Sequence, residues 1–242
     1  RDHLGFVPDR DLSAAEWLAA PSQVLRSLTA GGVFHDGLGQ LAPIRARLAY
    51  YPYDVWLYLL ATQWGRIGQE EAFVGRCGQV GDELGSALVA ARLARDMMRL
   101  AFLMERQYAP YVKWFGTAFQ QLAAAAALTP HLTAVLRAAA WPEREAHLSA
   151  AYEYLAERHN ALGLTPPLPA RVSPFYERPF HVIHADRFAA ALRQAITDET
   201  VRVLPAGVGG IDQWVDSTDV LSNPALFRGL SIKHGWDTDR TD

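Results

Sequence analysis

Between residues 82 and 106 the apolar side chains recur at the spacing of a helix. Leu84, Leu88 and Ala91 continue through Arg95 to Met98 along one stripe, and Leu93, Met97, Leu100 and Met104 form another. A helix that is apolar over so much of its circumference must be surrounded by others. The same spacing runs from Asp54 to about Gly65, where Val55, Leu59 and Thr62 share a face with Trp56 and Leu60, and Pro52 suits the first turn. Strand signals are few. The expected fold class is all-α: an irregular multi-helix bundle, with residues 1–242 forming a single helical domain.

Local signals place the other elements. Ser13 and Glu16 have capping-box spacing, so a short helix follows and ends near Ala20-Pro21. Further helices are expected over 22–28, 40–48, 113–127, 130–140, 141–162 and 186–196, with a last short one from Asn223-Pro224. Gly31-Gly32 breaks the pattern, 33–37 reads as a turn or a short extended piece, and 201–204 as one short strand. Pro166, Pro167, Pro169, Pro174 and Pro179 exclude regular structure, so 165–185 is expected as an extended, ordered arm over the bundle. Residues 236–242 are expected as a frayed tail.

With 50% hydrophobic and 20% charged residues the chain reads as an ordinary globular protein. A net charge of −3 without a concentrated basic stripe argues against nucleic acid as a partner. No apolar run approaches the roughly 18–20 residues that span a bilayer, which argues against a membrane. The lone Cys77 rules out an intramolecular disulfide and a multi-cysteine metal site, and a cytoplasmic location is expected. Because the first residue is Arg1, the chain is expected to be a piece of a longer protein.

The stretch 63–99 draws attention for chemistry. Six glycines (Gly65, Gly68, Gly75, Gly78, Gly81 and Gly85) fall in helical sequence, each costing about 1 kcal/mol relative to alanine. If 71–89 is one helix, Glu71, Gly75, Gly78, Asp82, Gly85 and Val89 share a face. That face is a groove floored by backbone and walled by acid, suited to a cationic or hydroxylated small molecule or, through oxygen ligands, a divalent ion. Two arrangements compete with it. The glycines can serve close helix packing, with the acids paired to Arg92, Arg95 or Arg99. Alternatively they break the segment around 76–81 and make Asp82 an N-cap.

A second cluster, Tyr108, Tyr111, Lys113 and Trp114, offers ring faces and one cation for a base, sugar or phosphate; its plainer reading is an aromatic corner over the core. A third, Asp212, Asp216 and Asp219, shares a face if helical and attracts cations, while Asp216-Ser-Thr-Asp219 reads equally as capping residues. His181 and His184 have metal-like spacing only on a helix, and His35-Asp36 is a weak dipeptide. No Gly-x-Ser-x-Gly, phosphate-binding glycine loop or Glu-x-x-His pair is present.

Five motifs carry a resemblance: Gln69-Glu-Glu-Ala-Phe-Val-Gly-Arg76, Val80-Gly-Asp-Glu-Leu-Gly-Ser86, the run from Tyr108 through Lys113-Trp114 to Phe119, Arg178-Pro-Phe180, and Asp216-Ser-Thr-Asp-Val-Leu221. Over about residues 5–230 the chain resembles a bacterial family, the domain of unknown function 4037. The resemblance implies an N-terminal nucleotidyltransferase-like domain as a partner, outside this sequence. That domain carries the nucleotide-binding motif and, if active, brings Mg and a nucleoside triphosphate. In kanamycin-type nucleotidyltransferases a helical domain walls the cleft, contacts the acceptor and supplies a carboxylate for its hydroxyl proton. This analogy is one of fold.

The resulting expectation is a helical C-terminal domain that binds a small-molecule acceptor or nucleotide. Glu71 is the candidate general base. Gln69, Glu70, Arg76, Asp82, Glu83, Tyr111, Lys113 and Trp114 are the candidate binding residues, with Arg76 and Lys113 toward phosphate and no metal ligands assigned. The rival expectation is a non-catalytic dimerisation or docking module, a homodimer joined through the glycine face. A weaker third is a metal-dependent hydrolase using His181 or His184.

Overall fold

In the computed structural model, which describes Leu4 and residues 10–233, the chain is mostly helical with one two-stranded sheet. The expected tail 236–242 lies outside the described residues. Ser13 caps α1 (Ala14–Ala19): its hydroxyl accepts the Glu16 N–H, and the Glu16 carboxylate accepts the Ser13 N–H at 2.9 Å. Two further short helices follow, α2 (Ser22–Thr29) and α3 (Leu41–Arg47).

The centre of the bundle is α4 (Tyr53–Glu70), α5 (Phe73–Gln79) and α6 (Glu83–Met104). Every residue of α4 from Asp54 to Trp64 is buried, and the helix packs against α6 and α10 (Asp186–Ala195). α8 (Ala125–Arg137) and α9 (Trp141–Ala161) form an antiparallel pair that closes over α6. Leu57, Leu60, Trp64, Leu93, Met97, Leu100, Leu155 and Phe188 are all essentially inaccessible and make one contiguous core. None of the helices described is long and apolar enough to cross a membrane.

Three expectations need correction. Residues 201–204 are not a strand: Asp198 caps the short α11 (Glu199–Arg202), accepting the Thr200 N–H at 2.8 Å. The expected helix 113–127 is two pieces, a 3-10 turn (Val112–Trp114) leading into α7 (Phe115–Phe119), then turns to Ala124. Pro130, expected to start a helix, lies inside α8, which begins at Ala125. The proline-rich arm is irregular as expected, apart from β1 (Ser173–Pro174) paired antiparallel with β2 (His181–Val182). Past α11, a loop with a 3-10 turn at Ile211–Gln213 leads to α12 (Thr218–Ser222) and α13 (Pro224–Lys233).

Candidate functional site

The glycine-and-acid stretch folds as three helices, so the single acid-walled face does not exist. α4 continues to Glu70, α5 ends at Gln79, and the chain turns through Gly81, whose φ of +79° favours glycine. Asp82 is the N-cap of α6 and accepts the Gly85 N–H at 2.7 Å, in agreement with the broken-helix alternative. A Cβ on Gly75 would stand 2.5 Å from the Phe180 ring, and one on Gly78 would stand 2.0 Å from Trp141. These glycines let the chain's own aromatics lie against α5. The space a side chain would need at Gly75 and Gly78 is taken by Phe180 and Trp141.

The acids of that stretch are engaged as well. Glu71, the expected base, is buried at 7% exposure and accepts the N–H groups of Ile183 and Ala185 at 2.8 and 2.9 Å. It ties the start of α5 to the chain entering α10. Burial pushes its carboxyl up to about 7 even though those N–H groups favour the charged form. Glu70 pairs with Arg92 at 2.7 Å, and Glu83 with the buried Arg144 at 2.5 Å. Arg76 lies over the Phe73 ring, while Gln69 is exposed and lines no cavity described here. The expected wall of Gln69, Glu70, Glu71, Arg76, Asp82 and Glu83 is therefore distributed over separate structural roles.

Parts of the second and third clusters meet instead: Tyr108 of one, and Asp212 and Asp216 of the other. Tyr108, Pro110, Val112 and Phe115 form one wall of a cavity of about 80 Å³, and Gly210, Asp212, Gln213, Asp216, Thr218 and Leu221 form the wall opposite. Trp17, Ser22 and Gln23 close it from α1 and α2, Leu59 and Gln63 from α4, and Arg95, Arg99 and Phe102 from α6. Since one water needs about 10–15 Å³ in this measure, the space holds on the order of six waters or one small ring. Tyr111, Lys113 and Trp114 lie outside this lining. They are exposed, with the Lys113 Nζ 5.2 Å from the centre of the Trp114 ring.

The polar end of the cavity is built from distant parts of the chain. Asp212 Oδ2 accepts the Ser22 N–H at 2.7 Å, and the Arg99 guanidinium donates to the Asp212 carbonyl. Burial raises the Asp212 carboxyl above the usual range against the opposing pull of Arg99. Burial also lowers the Arg99 guanidinium, with Arg95 adding repulsion. Asp216 pairs with Arg95 at 2.7 Å. The shared helical face of Asp212, Asp216 and Asp219 is absent, and the capping alternative for 216–219 is met by Ser217, which caps α12.

Behind this end runs a buried amide network. Gln213 donates to the Leu59 carbonyl and to Gln63 Oε1, both at 3.0 Å, and accepts from Thr62 at 2.8 Å and the Gly210 N–H at 2.9 Å. All four of its hydrogen-bonding positions are filled. Gln63 in turn donates to Asp96, which also pairs with Arg66.

Sequence reading passed over Gln63, Gln107, Gln213 and Tyr51, which all line the cavity. For Gln63 a signal existed: it is a polar residue on an otherwise apolar face of α4. Gln107 and Tyr51 carry none, because only the fold brings them in. His181 lies in β2 beside Glu145, and His184 Nε2 lies 2.8 Å from Ser173 Oγ, so the two do not share a helical face. Among the described residues no group of three or more His, Cys, Asp or Glu side chains is placed to hold a metal ion.

With the geometry in place, comparison with known proteins adds one relation. A family model, the domain of unknown function (DUF4037), matches residues 17–115. That span begins at the cavity residue Trp17 and ends at the cavity residue Phe115. The motifs at 178–180 and 216–221 lie beyond it. No curated protein and no solved structure matches the chain.

Proposed function

We propose that this chain is a ligand-binding helical domain of a nucleotidyltransferase-like protein, and that the acceptor enters the cavity between the Tyr108–Phe115 and Gly210–Leu221 segments. The supporting observation is that Tyr108 from one sequence cluster and Asp212 and Asp216 from another line one cavity, with the Asp212 carboxyl raised in proton affinity by burial and two arginines beside it. Perturbed groups of this kind concentrate at functional sites. The aromatic walls hold an apolar or ring-shaped body, and the polar end selects a hydroxyl or amine.

In this reading Asp212 takes the role first assigned to Glu71. Its carboxylate accepts the proton of the acceptor hydroxyl as that oxygen bonds to the α-phosphorus and pyrophosphate leaves. The nucleotide and its cation come with the partner domain. The test is nucleotide transfer by the natural full-length protein onto a panel of small hydroxylated acceptors. Asp212→Asn is expected to lower turnover at least about a hundredfold, in line with the loss of a general base. Glu71→Gln is expected to leave turnover of the folded protein nearly unchanged. The opposite pattern would return the base to Glu71.

A further inference from the structure

On the far side of Gln107 and Tyr108 from the aromatic cavity lies a second, more open cavity of about 480 Å³. Arg26, Arg45 and Arg106 line it together with backbone and small side chains, and no carboxylate among the described residues does. None of the three arginines forms an ion pair among the described residues. Arg26 donates one bond, to the Tyr108 carbonyl at 2.8 Å, and Arg45 is fixed by the Thr29, Ala30 and Gly31 carbonyls through a single nitrogen. Most of their N–H groups therefore remain for something else.

Capping alone does not account for this charge. The three arginines stand near the C-terminal ends of α2, α3 and α6. Each helix end contributes at most about half a negative charge, so the three dipoles offset roughly half of the three positive charges. Arg106 makes the stronger case. It is the residue after the C-cap of α6, at φ +52°, with Arg106 N–H to Leu103 O at 3.1 Å and Gln107 N–H to Phe102 O at 2.9 Å closing the helix. Glycine is the low-strain residue at that position. An arginine stands there instead, its guanidinium held 5.2 Å from the Tyr50 ring centre and 5.0 Å from that of Trp56. A non-glycine residue at that φ carries backbone strain, and its guanidinium stands at the cavity.

The geometry points to this cavity as an anion site that takes the phosphate groups of a nucleotide or a free polyphosphate. Planar guanidinium groups with vacant N–H pairs match phosphate oxygens bidentately. The site goes beyond the acceptor reading, because it uses none of the acidic end of the aromatic cavity.

Calorimetric titration of the chain with tripolyphosphate, ATP and adenosine at low ionic strength tests it. Tripolyphosphate and ATP are expected to bind, more weakly as salt is raised, and adenosine is not. Equal affinity for the two phosphates identifies the polyphosphate as sufficient, and tighter ATP binding identifies a nucleotide. Arg106→Gly removes the cation and its two ring contacts while relieving the strained φ, so its melting temperature should stay close to the wild type's while it binds phosphate about tenfold or more weakly. Arg26→Met should weaken binding similarly. The proposal is overturned if the wild type binds neither phosphate, or if Arg106→Gly and Arg26→Met bind as well as the wild type. Either result leaves the Asp212→Asn transfer test unaffected.

Discussion

The stretch from Gly65 to Ser86 and the cavity around Asp212 are opposites in how their polar groups are used. In the first, each acid has a close partner: Glu70 has Arg92, Glu71 has two backbone N–H groups, Asp82 has its own helix, and Glu83 has Arg144. In the second, charges of both signs surround open space. The contrast teaches that glycines beside acids mark where the chain packs tightly as readily as where a ligand enters. Enclosed volume separates the two cases.

Mutations sharpen the contrast, since the packed region should respond in stability and the cavity in binding. The largest effect is expected at Arg144, buried at 4% exposure, which holds Glu83, Ser86 and two carbonyls after α8. Arg144→Ala is expected to lower stability in urea unfolding more than any other substitution considered, because it empties a buried site and breaks the hydrogen bonds to Glu83, Ser86 and the Ala138 and Ala139 carbonyls together. A loss below about 1 kcal/mol would mean that this region is not the anchor described.

Glu71→Gln comes next, at about 1–3 kcal/mol, because an amide cannot accept from both N–H groups with two oxygens. Its pH dependence carries a definite sign. The folded carboxyl titrates near 7, above the ordinary glutamate value of 4.5, so its contribution is fully present below about 4.5 and is lost as pH rises through 7. Unfolding at pH 5 and pH 8 should show the wild type losing up to about 3 kcal/mol more than the Gln variant. Parallel losses would show that Glu71 does not titrate in this window.

The smallest stability effect is expected in the cavity. Asp216 is 70% exposed, so Asp216→Asn should shift Tm by no more than about 2–4 °C, the equivalent of a surface pair's 1 kcal/mol. It releases Arg95, so binding of any acceptor found for the cavity should change while the melting curve hardly moves. A large drop in Tm would make Asp216 a structural residue and weaken the contrast.

Much of the fold was legible because the long helices announce themselves locally. The α1 capping box, the apolar circumference of α6 and the Trp141-Pro142 start of α9 all depend on residues within a few positions of one another. Pro130 misled because a proline that reads as a helix start is carried inside α8 by packing against α9. The site was legible only in pieces. Tyr108 and Asp212 each stood in a noted cluster, but about a hundred residues separate them, and no spacing rule links positions so far apart. The burial of Glu71 was hidden for the same reason: its partners Ile183 and Ala185 are remote in sequence.

The four filled positions of Gln213 have a consequence for recognition. The turn that carries Asp212 is pinned to α4 through Leu59, Thr62 and Gln63, so the cavity's polar end is already assembled before any molecule arrives. In the proposed reading, a ligand meets a wall already held by hydrogen bonds and so has less conformational entropy to remove from it. For a ligand of the proposed kind, selectivity would then rest on fit against a loop that Gln213 fastens to α4.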